Sequence, residues 1–208
     1  MAVPVLLYAG PFISFSDVPA YTWYTEALSA MTENGYIDTS KTLFRPTEAA
    51  TRAEFVKLLV EMNGGVLSTP LAIPSFDDVA SSAWYYGYME EAAKEGWMRG
   101  VENCYGTHPC FARPTDPVTR AEVAVLLARS FDLHSDGTRQ LFTDVPEDAW
   151  YADAFIATNY ACVFQGDDVT GRVRPMDSMN RAEMVTMLHR MDQHLTYGMT
   201  CDTPQEAE

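Results

Sequence analysis

The chain has 208 residues, a formal net charge of −15 and an isoelectric point near 4.5. Such a field repels nucleic acid, and no run of Lys or Arg offsets it, so a nucleic-acid partner is not expected. No stretch approaches the ~18 apolar residues of a membrane span, while the 47% apolar share is ordinary for a chain with a real core.

Residues 1–14 and 195–208 read as terminal extensions. The opening Met1–Gly10 lacks a basic n-region and is too short for a full signal peptide, so it is taken as a mature or recombinant beginning. Between the extensions the chain repeats itself three times. Phe15-Ser16-Asp17-Val18, Phe76-Asp77-Asp78-Val79 and Phe142-Thr143-Asp144-Val145 open three units, and six residues after each Asp stand Trp23, Trp84 and Trp150. Each Trp is followed by a Tyr: Tyr24, Tyr85 and Tyr151. Twelve residues past each Trp lie Gly35, Gly96 and Cys162. Further on come Arg45-Pro46, Arg113-Pro114 and Arg174-Pro175, then Thr51-Arg52-Ala53-Glu54, Thr119-Arg120-Ala121-Glu122 and Asn180-Arg181-Ala182-Glu183. Recurrence at fixed offsets is the signature of a repeat architecture. The three units span residues 15–62, 76–133 and 142–194, and together form one structural unit.

Each unit reads as helix–loop–helix, which makes the chain all-α. The first helix begins near the Trp, with Tyr24, Leu28 and Met31 at i, i+4, i+7. Gly35 and Gly96 sit where a left-handed C-cap is expected. Cys162 replaces them in the third unit, so that helix is expected to end differently. The second helix starts at the Thr/Asn-Arg-Ala-Glu signature, a capping box in which Thr or Asn accepts from the N–H three residues on and Glu reaches back. Behind it run Phe55, Leu58, Leu59 and Met62, and Met184, Met187, Leu188 and Met191. Two helices of roughly a dozen residues cannot bury such stripes alone, so a compact pseudo-threefold, three-pronged bundle is expected. The links 63–75 and 134–141 read as connectors.

Four cysteines bear on the compartment. Cys104 and Cys110 bracket a loop inserted in the second unit only, which a disulfide would restrain; Cys162 and Cys201 would then staple the C-terminal tail to the body. Four idle thiols are the alternative, whereas two bridges imply an oxidising compartment.

These motifs closely resemble the S-layer homology family, from residue 15 to about 194. The resemblance implies an all-helical pseudo-trimer with one helix per repeat in a central bundle. It also implies anchoring of surface proteins to secondary cell-wall polymers, typically carrying pyruvate ketals on an amino sugar. Ligand is held in grooves between neighbouring repeats, and the motif arginines, here Arg52, Arg120 and Arg181, contact the pyruvyl carboxylate. An extracellular, wall-associated location follows. The chain departs from the pattern at Asn180, at Cys162, and at Thr39, where the other units carry Gly100 and Gly166. If those glycines let ligand approach the backbone, the groove at Thr39 is narrower or silent.

Each residue type has a structural reading beside the functional one. A cation at the first position of a helix is unfavourable by ~0.3–1 kcal/mol, so three such arginines need a reason. Either helix-end N–H groups and guanidinium together receive an outside carboxylate, or each arginine pairs internally, with Asp17, Asp78 or Asp144 as the obvious partner. Those aspartates otherwise serve as helix or turn caps or touch sugar directly. Trp23, Trp84 and Trp150 are either buried between repeats or frame the grooves. Arg45, Arg113 and Arg174 belong to a loop rim, and Glu54, Glu122 and Glu183 are structural.

No catalytic signature is present: no Gly-x-Ser-x-Gly elbow, no phosphate-binding glycine loop, no dinucleotide fingerprint and no helical His pair. Asp167-Asp168 lacks the alternating oxygen ligands of a calcium loop, so no metal or cofactor is expected. The sequence therefore reads as a non-enzymatic anchor, monomeric in isolation, that binds an acidic cell-wall polysaccharide. The alternative is a protein–protein or lattice-assembly module of the cell surface.

Overall fold

The computed structural model describes residues 15–67, 73–101, 104, 106–134, 142–167 and 169–201. Among these described residues six helices follow in order: α1 Thr25–Glu33, α2 Arg52–Met62, α3 Tyr86–Lys94, α4 Arg120–Ser130, α5 Ala152–Tyr160 and α6 Arg181–Tyr197. The described residues form no β-strand, only three isolated bridges, so the protein is all-α.

Capping chemistry sets where the second helix of each repeat begins. Thr51, Thr119 and Asn180 are extended N-caps whose side chains accept from Glu54, Glu122 and Glu183 N–H, and each Glu accepts from the cap N–H in return. The complete box satisfies two of the donors a helix start leaves orphaned.

The first helices end on left-handed residues. Gly35, Gly96 and Cys162 have φ of 80°, 74° and 60°, and the N–H of the next residue returns to the carbonyls of Met31, Ala92 and Thr158 at 3.0, 2.9 and 2.9 Å. The expectation that the third copy ends differently is thus corrected. Cys162 adopts the glycine conformation despite its Cβ, and it is also bonded to Cys201 through a disulfide.

Packing runs between repeats. α2 packs on α3, α4 on α5 and α6 on α1, so each second helix buries its stripe against the first helix of the next repeat in a closed cycle. Phe55, Leu59, Leu127, Leu188 and Met191 are completely or almost completely buried, as are the opening phenylalanines Phe76 and Phe142. Burying such a side chain is worth ~1.5–3 kcal/mol, and these stripes are what join one repeat to the next.

A second cycle, of backbone hydrogen bonds, surrounds the starts of α2, α4 and α6. Ala50 N–H donates to Met179 O at 2.9 Å, Met179 to Val118 at 3.0 Å, and Val118 back to Ala50 at 2.9 Å. Bridges Ala49–Asn180, Thr51–Pro117 and Thr119–Ser178 accompany it.

Candidate functional site

The sequence puts Arg52, Arg120 and Arg181 at helix starts, either open to an outside carboxylate or paired internally with Asp17, Asp78 or Asp144. The structure closes those helix starts. Arg52 and Ala53 N–H donate to Asp116 and Pro114 carbonyls at 3.0 and 2.9 Å, Arg120 and Ala121 to Asp177 and Pro175 at 3.0 and 2.9 Å, and Arg181 and Ala182 to Glu48 and Pro46 at 2.9 and 3.0 Å. With the capping box supplying the third acceptor, no N-terminal donor is left for an outside carboxylate.

The guanidinium groups are engaged as well. Arg52 Nε donates to Ala112 O at 2.8 Å, Arg120 Nε to Val173 O at 2.6 Å and Arg181 Nε to Phe44 O at 2.7 Å. Their terminal nitrogens meet the capping-box glutamates of the next repeat: Arg52 with Glu122, Arg120 with Glu183 at 3.8 Å, and Arg181 with Glu54. Arg120 also lies over the Phe164 ring at 5.2 Å and Arg181 over Phe44 at 5.0 Å. Burial pushes the Arg120 pKa below its usual value, against the raising influence of Glu183. Internal pairing is therefore what the chain uses, but the partner is the capping-box Glu and not the aspartate. One carboxylate oxygen caps its own helix and the other receives the neighbour's arginine, a double duty that sequence spacing does not reveal.

Asp17, Asp78 and Asp144 tie down the loop before the second helix. Each accepts two successive N–H groups: Phe44 and Arg45 at 2.8 and 2.7 Å, Ala112 and Arg113 at 2.8 and 2.7 Å, Val173 and Arg174 at 2.9 and 2.8 Å. The ties reach some thirty residues along the chain, so these are not local helix caps. They fix Arg45, Arg113 and Arg174 at φ of 59°, 50° and 53°, a left-handed conformation that costs a non-glycine residue energy. Partial burial pushes the Asp17 pKa up, but the backbone donors Phe44 and Arg45, with the Arg181 charge, bring it below the usual 3.8.

Trp23, Trp84 and Trp150 are not buried between repeats. They are 65%, 57% and 63% exposed, and each stands edge-on to the following Tyr at 5.2, 5.3 and 5.2 Å. Burial falls instead on Tyr24 and Tyr151, which lets each indole stand as an outward shelf.

Gly100 and Gly166 take φ of 70° and 72°. A Cβ on Gly100 would come within 2.5 and 2.7 Å of the Cys104 and Cys110 sulfurs, and one on Gly166 within 3.1 Å of the Phe142 ring. Chain conformation and packing therefore account for both glycines. The Cys104–Cys110 and Cys162–Cys201 bridges have Cα separations of 5.3 and 4.7 Å, within the range such bonds require.

One open groove stands out, a cavity of about 680 Å³ beside the second repeat. Its walls are Arg52 and Glu122, the run Trp97-Met98-Arg99-Gly100-Val101 after α3, Val125, Leu126 and Arg129 on α4, and Trp150 from the third repeat. Three repeats thus contribute to one site, bringing together Arg52, Gly100 and Trp150 from among the residues singled out in the sequence. Arg99 and Arg129 were missed. Neither has a carboxylate partner among the described residues: Arg99 Nε donates to Gly96 O at 3.3 Å and Arg129 Nη1 to Trp97 O at 3.2 Å. Burial first, and then the Arg99 charge, lower the Arg129 pKa. Among the described residues three guanidiniums and one carboxylate line this groove, and that carboxylate, Glu122, is already paired with Arg52.

Asp167 closes its own turn onto Val169 and Thr170 N–H at 3.1 and 2.5 Å; Asp168 lies outside the described residues. Among those residues no cluster of His, Cys, Asp and Glu has the makings of a metal site.

Known proteins share this pattern. The model of the S-layer homology domain matches residues 14–56, 75–103 and 141–185, more than half of the chain. The chain belongs to the S-layer homology family. It is 34% identical over 126 residues to the Surface-layer 125 kDa protein of Lysinibacillus sphaericus, covering 58% of this chain and 10% of that protein. It is 27% identical over 139 residues to exoglucanase XynX of Acetivibrio thermocellus (67% of this chain, 12% of that one) and 34% over 122 residues to the amylopullulanase of Thermoanaerobacterium thermosulfurigenes (59% and 6%). The S-layer homology chain therefore spans about a tenth of the length of these relatives. Its family makes it a cell-envelope anchoring module of the cell surface. No helix among the described residues is long and apolar enough to cross a membrane.

Proposed function

We propose that this S-layer homology unit holds a surface protein to the cell envelope without catalysis, by binding an acidic, pyruvylated wall polysaccharide in a groove between repeats. The three repeats, 15–62, 76–133 and 142–194, act as one unit, monomeric in isolation.

The observation that carries the reading is the groove beside the second repeat. Trp97, Met98, Leu126 and Trp150 give it apolar and aromatic walls, on which sugar rings pack, and Arg99 and Arg129 supply positive charge beside the Arg52–Glu122 pair. Guanidinium offers a carboxylate two parallel donors. Arg120 and Arg181 serve as struts between repeats, and Asp17, Asp78 and Asp144 as loop ties, so these residues support the grooves from behind. Trp23 and Trp84 stand at the equivalent positions of the first two repeats and are similarly exposed.

Cosedimentation of the intact chain with purified wall polymer tests this, comparing polymer that retains its pyruvate ketals with polymer from which mild acid has removed them. The chain is expected to pellet with the first and stay in solution with the second. Equal binding to both would rule out recognition of the acid group.

A further inference from the structure

We propose that the three grooves are unequal, and that the acid group of the ligand is taken beside the second repeat, by Arg99 and Arg129. This rests on the anchoring role proposed above and names the groove that performs it.

The three repeats allow a comparison of equivalent positions. Three residues beyond the left-handed residue that ends the first helix stand Asp38, Arg99 and Gln165; ten residues beyond each capping Thr or Asn stand Glu61, Arg129 and Arg190. In the first repeat both sites are acidic. Glu61 there is already engaged, by Lys57 at 2.5 Å and by the Tyr88 hydroxyl at 2.9 Å, while Asp38 accepts from Ser40. A carboxylate arriving beside these two residues would meet like charge and occupied donors.

The second repeat reverses every one of these features. Both positions are arginine, and each holds one backbone carbonyl and no carboxylate among the described residues. The place of Lys57 is taken by Val125, which is buried, and the place of Tyr88 on the facing helix by Ala154. Two neighbouring guanidiniums repel each other until an anion comes between them, so a bound carboxylate relieves a cost that the empty groove carries. The third repeat is intermediate. Arg190 keeps its place, bonded to Val163 O at 3.0 Å, but Gln165 replaces the second arginine and lies beside the Cys162–Cys201 bridge, its amide 3.0 Å from Cys162 Sγ.

The test is calorimetric titration of the intact chain with an amino-sugar glycoside bearing a pyruvate ketal, and with the same glycoside lacking it. The ketal form should bind with one dominant site. Arg99→Gln with Arg129→Gln should weaken it about tenfold or more, the scale of losing a charge-assisted contact. Arg99→Gln alone, at an exposed position, should already weaken it severalfold with the helical circular dichroism unchanged, while Arg190→Gln should leave the dominant site unchanged. Wild-type affinity in both Arg99 variants, with the ketal still required, would overturn the groove assignment and leave the anchoring role standing. No binding of the ketal glycoside by the wild-type chain would remove both.

Discussion

Arg181 pairs with Glu54, a residue 127 positions earlier in the chain. The contact joins the third repeat to the first and closes a cycle that Arg52–Glu122 and Arg120–Glu183 carry through the other two junctions. Each arginine spans a boundary and each glutamate also caps its own helix, so helix initiation and repeat assembly are coupled through one carboxylate.

Opening that cycle should be costly. Removing one member of a fully buried pair costs ~3–5 kcal/mol, and partial exposure reduces this. Arg181→Ala, whose side chain is 15% exposed, should therefore lower stability by about 2 kcal/mol. Arg52→Ala, at 8% exposure, should lower it by more. Urea denaturation followed by circular dichroism measures both. Equal and negligible losses would mean that the arginines are free of the fold.

Asp17 should make stability sensitive to acid. Its folded pKa lies below its unfolded value, so its contribution is complete above the ordinary 3.8 and is lost as pH falls through the lowered folded value. Melting temperatures of wild type and Asp17→Asn should differ clearly at pH 6 and converge as the pH drops below that range. A difference that persists unchanged to pH 2.5 would contradict the carboxylate's role as a double backbone acceptor.

Gly100→Ala should be tolerated poorly. The substitution places a methyl on a left-handed residue and against both sulfurs of the Cys104–Cys110 bridge. A loss of more than about 1 kcal/mol is expected, together with slower or incomplete closure of that bridge, read as free thiol in the refolded chain. Gly64→Ala provides the control, because it shares a left-handed φ of 64° but meets nothing within 4 Å.

The Cys162–Cys201 bridge closes a loop spanning 39 positions. Replacing both cysteines with Ser should cost roughly 2–4 kcal/mol and expose the end of α6 to proteolysis. A variant cleaved no faster than wild type would show that packing alone holds the tail.

Much of this architecture was readable in the residues. The repeats, the capping boxes at Thr51, Thr119 and Asn180, and the buried stripes of α2, α4 and α6 all follow from local spacing, which hydrogen-bond geometry and helical period fix directly. Contacts between repeats did not. Nothing in the run Thr51-Arg52-Ala53-Glu54 says that its N–H groups will meet the Asp116 and Pro114 carbonyls, and those bonds are why the helix mouths are closed. Cys162 broke the glycine pattern in sequence yet kept its conformation, with the Val163 N–H returning to Thr158 O as in the other two repeats. Arg99 and Arg129 escaped notice because they vary among repeats, whereas repeat analysis looks for what recurs. Comparing the variable positions at equal offsets, Asp38 with Arg99 and Glu61 with Arg129, was the signal that would have found them.

The chain contains four tryptophans, and their indole N–H resonances report on the grooves separately. Trp97 and Trp150 line the groove beside the second repeat, while Trp23 and Trp84 hold the position of Trp150 in the other repeats. Titrating the pyruvylated glycoside into nitrogen-15-labelled chain should move the Trp97 and Trp150 signals first and together, and the unketalised sugar should move neither at the same concentration. If all four signals stay fixed, or if both sugars shift them alike, the chain does not hold its polymer by an acid group in this groove.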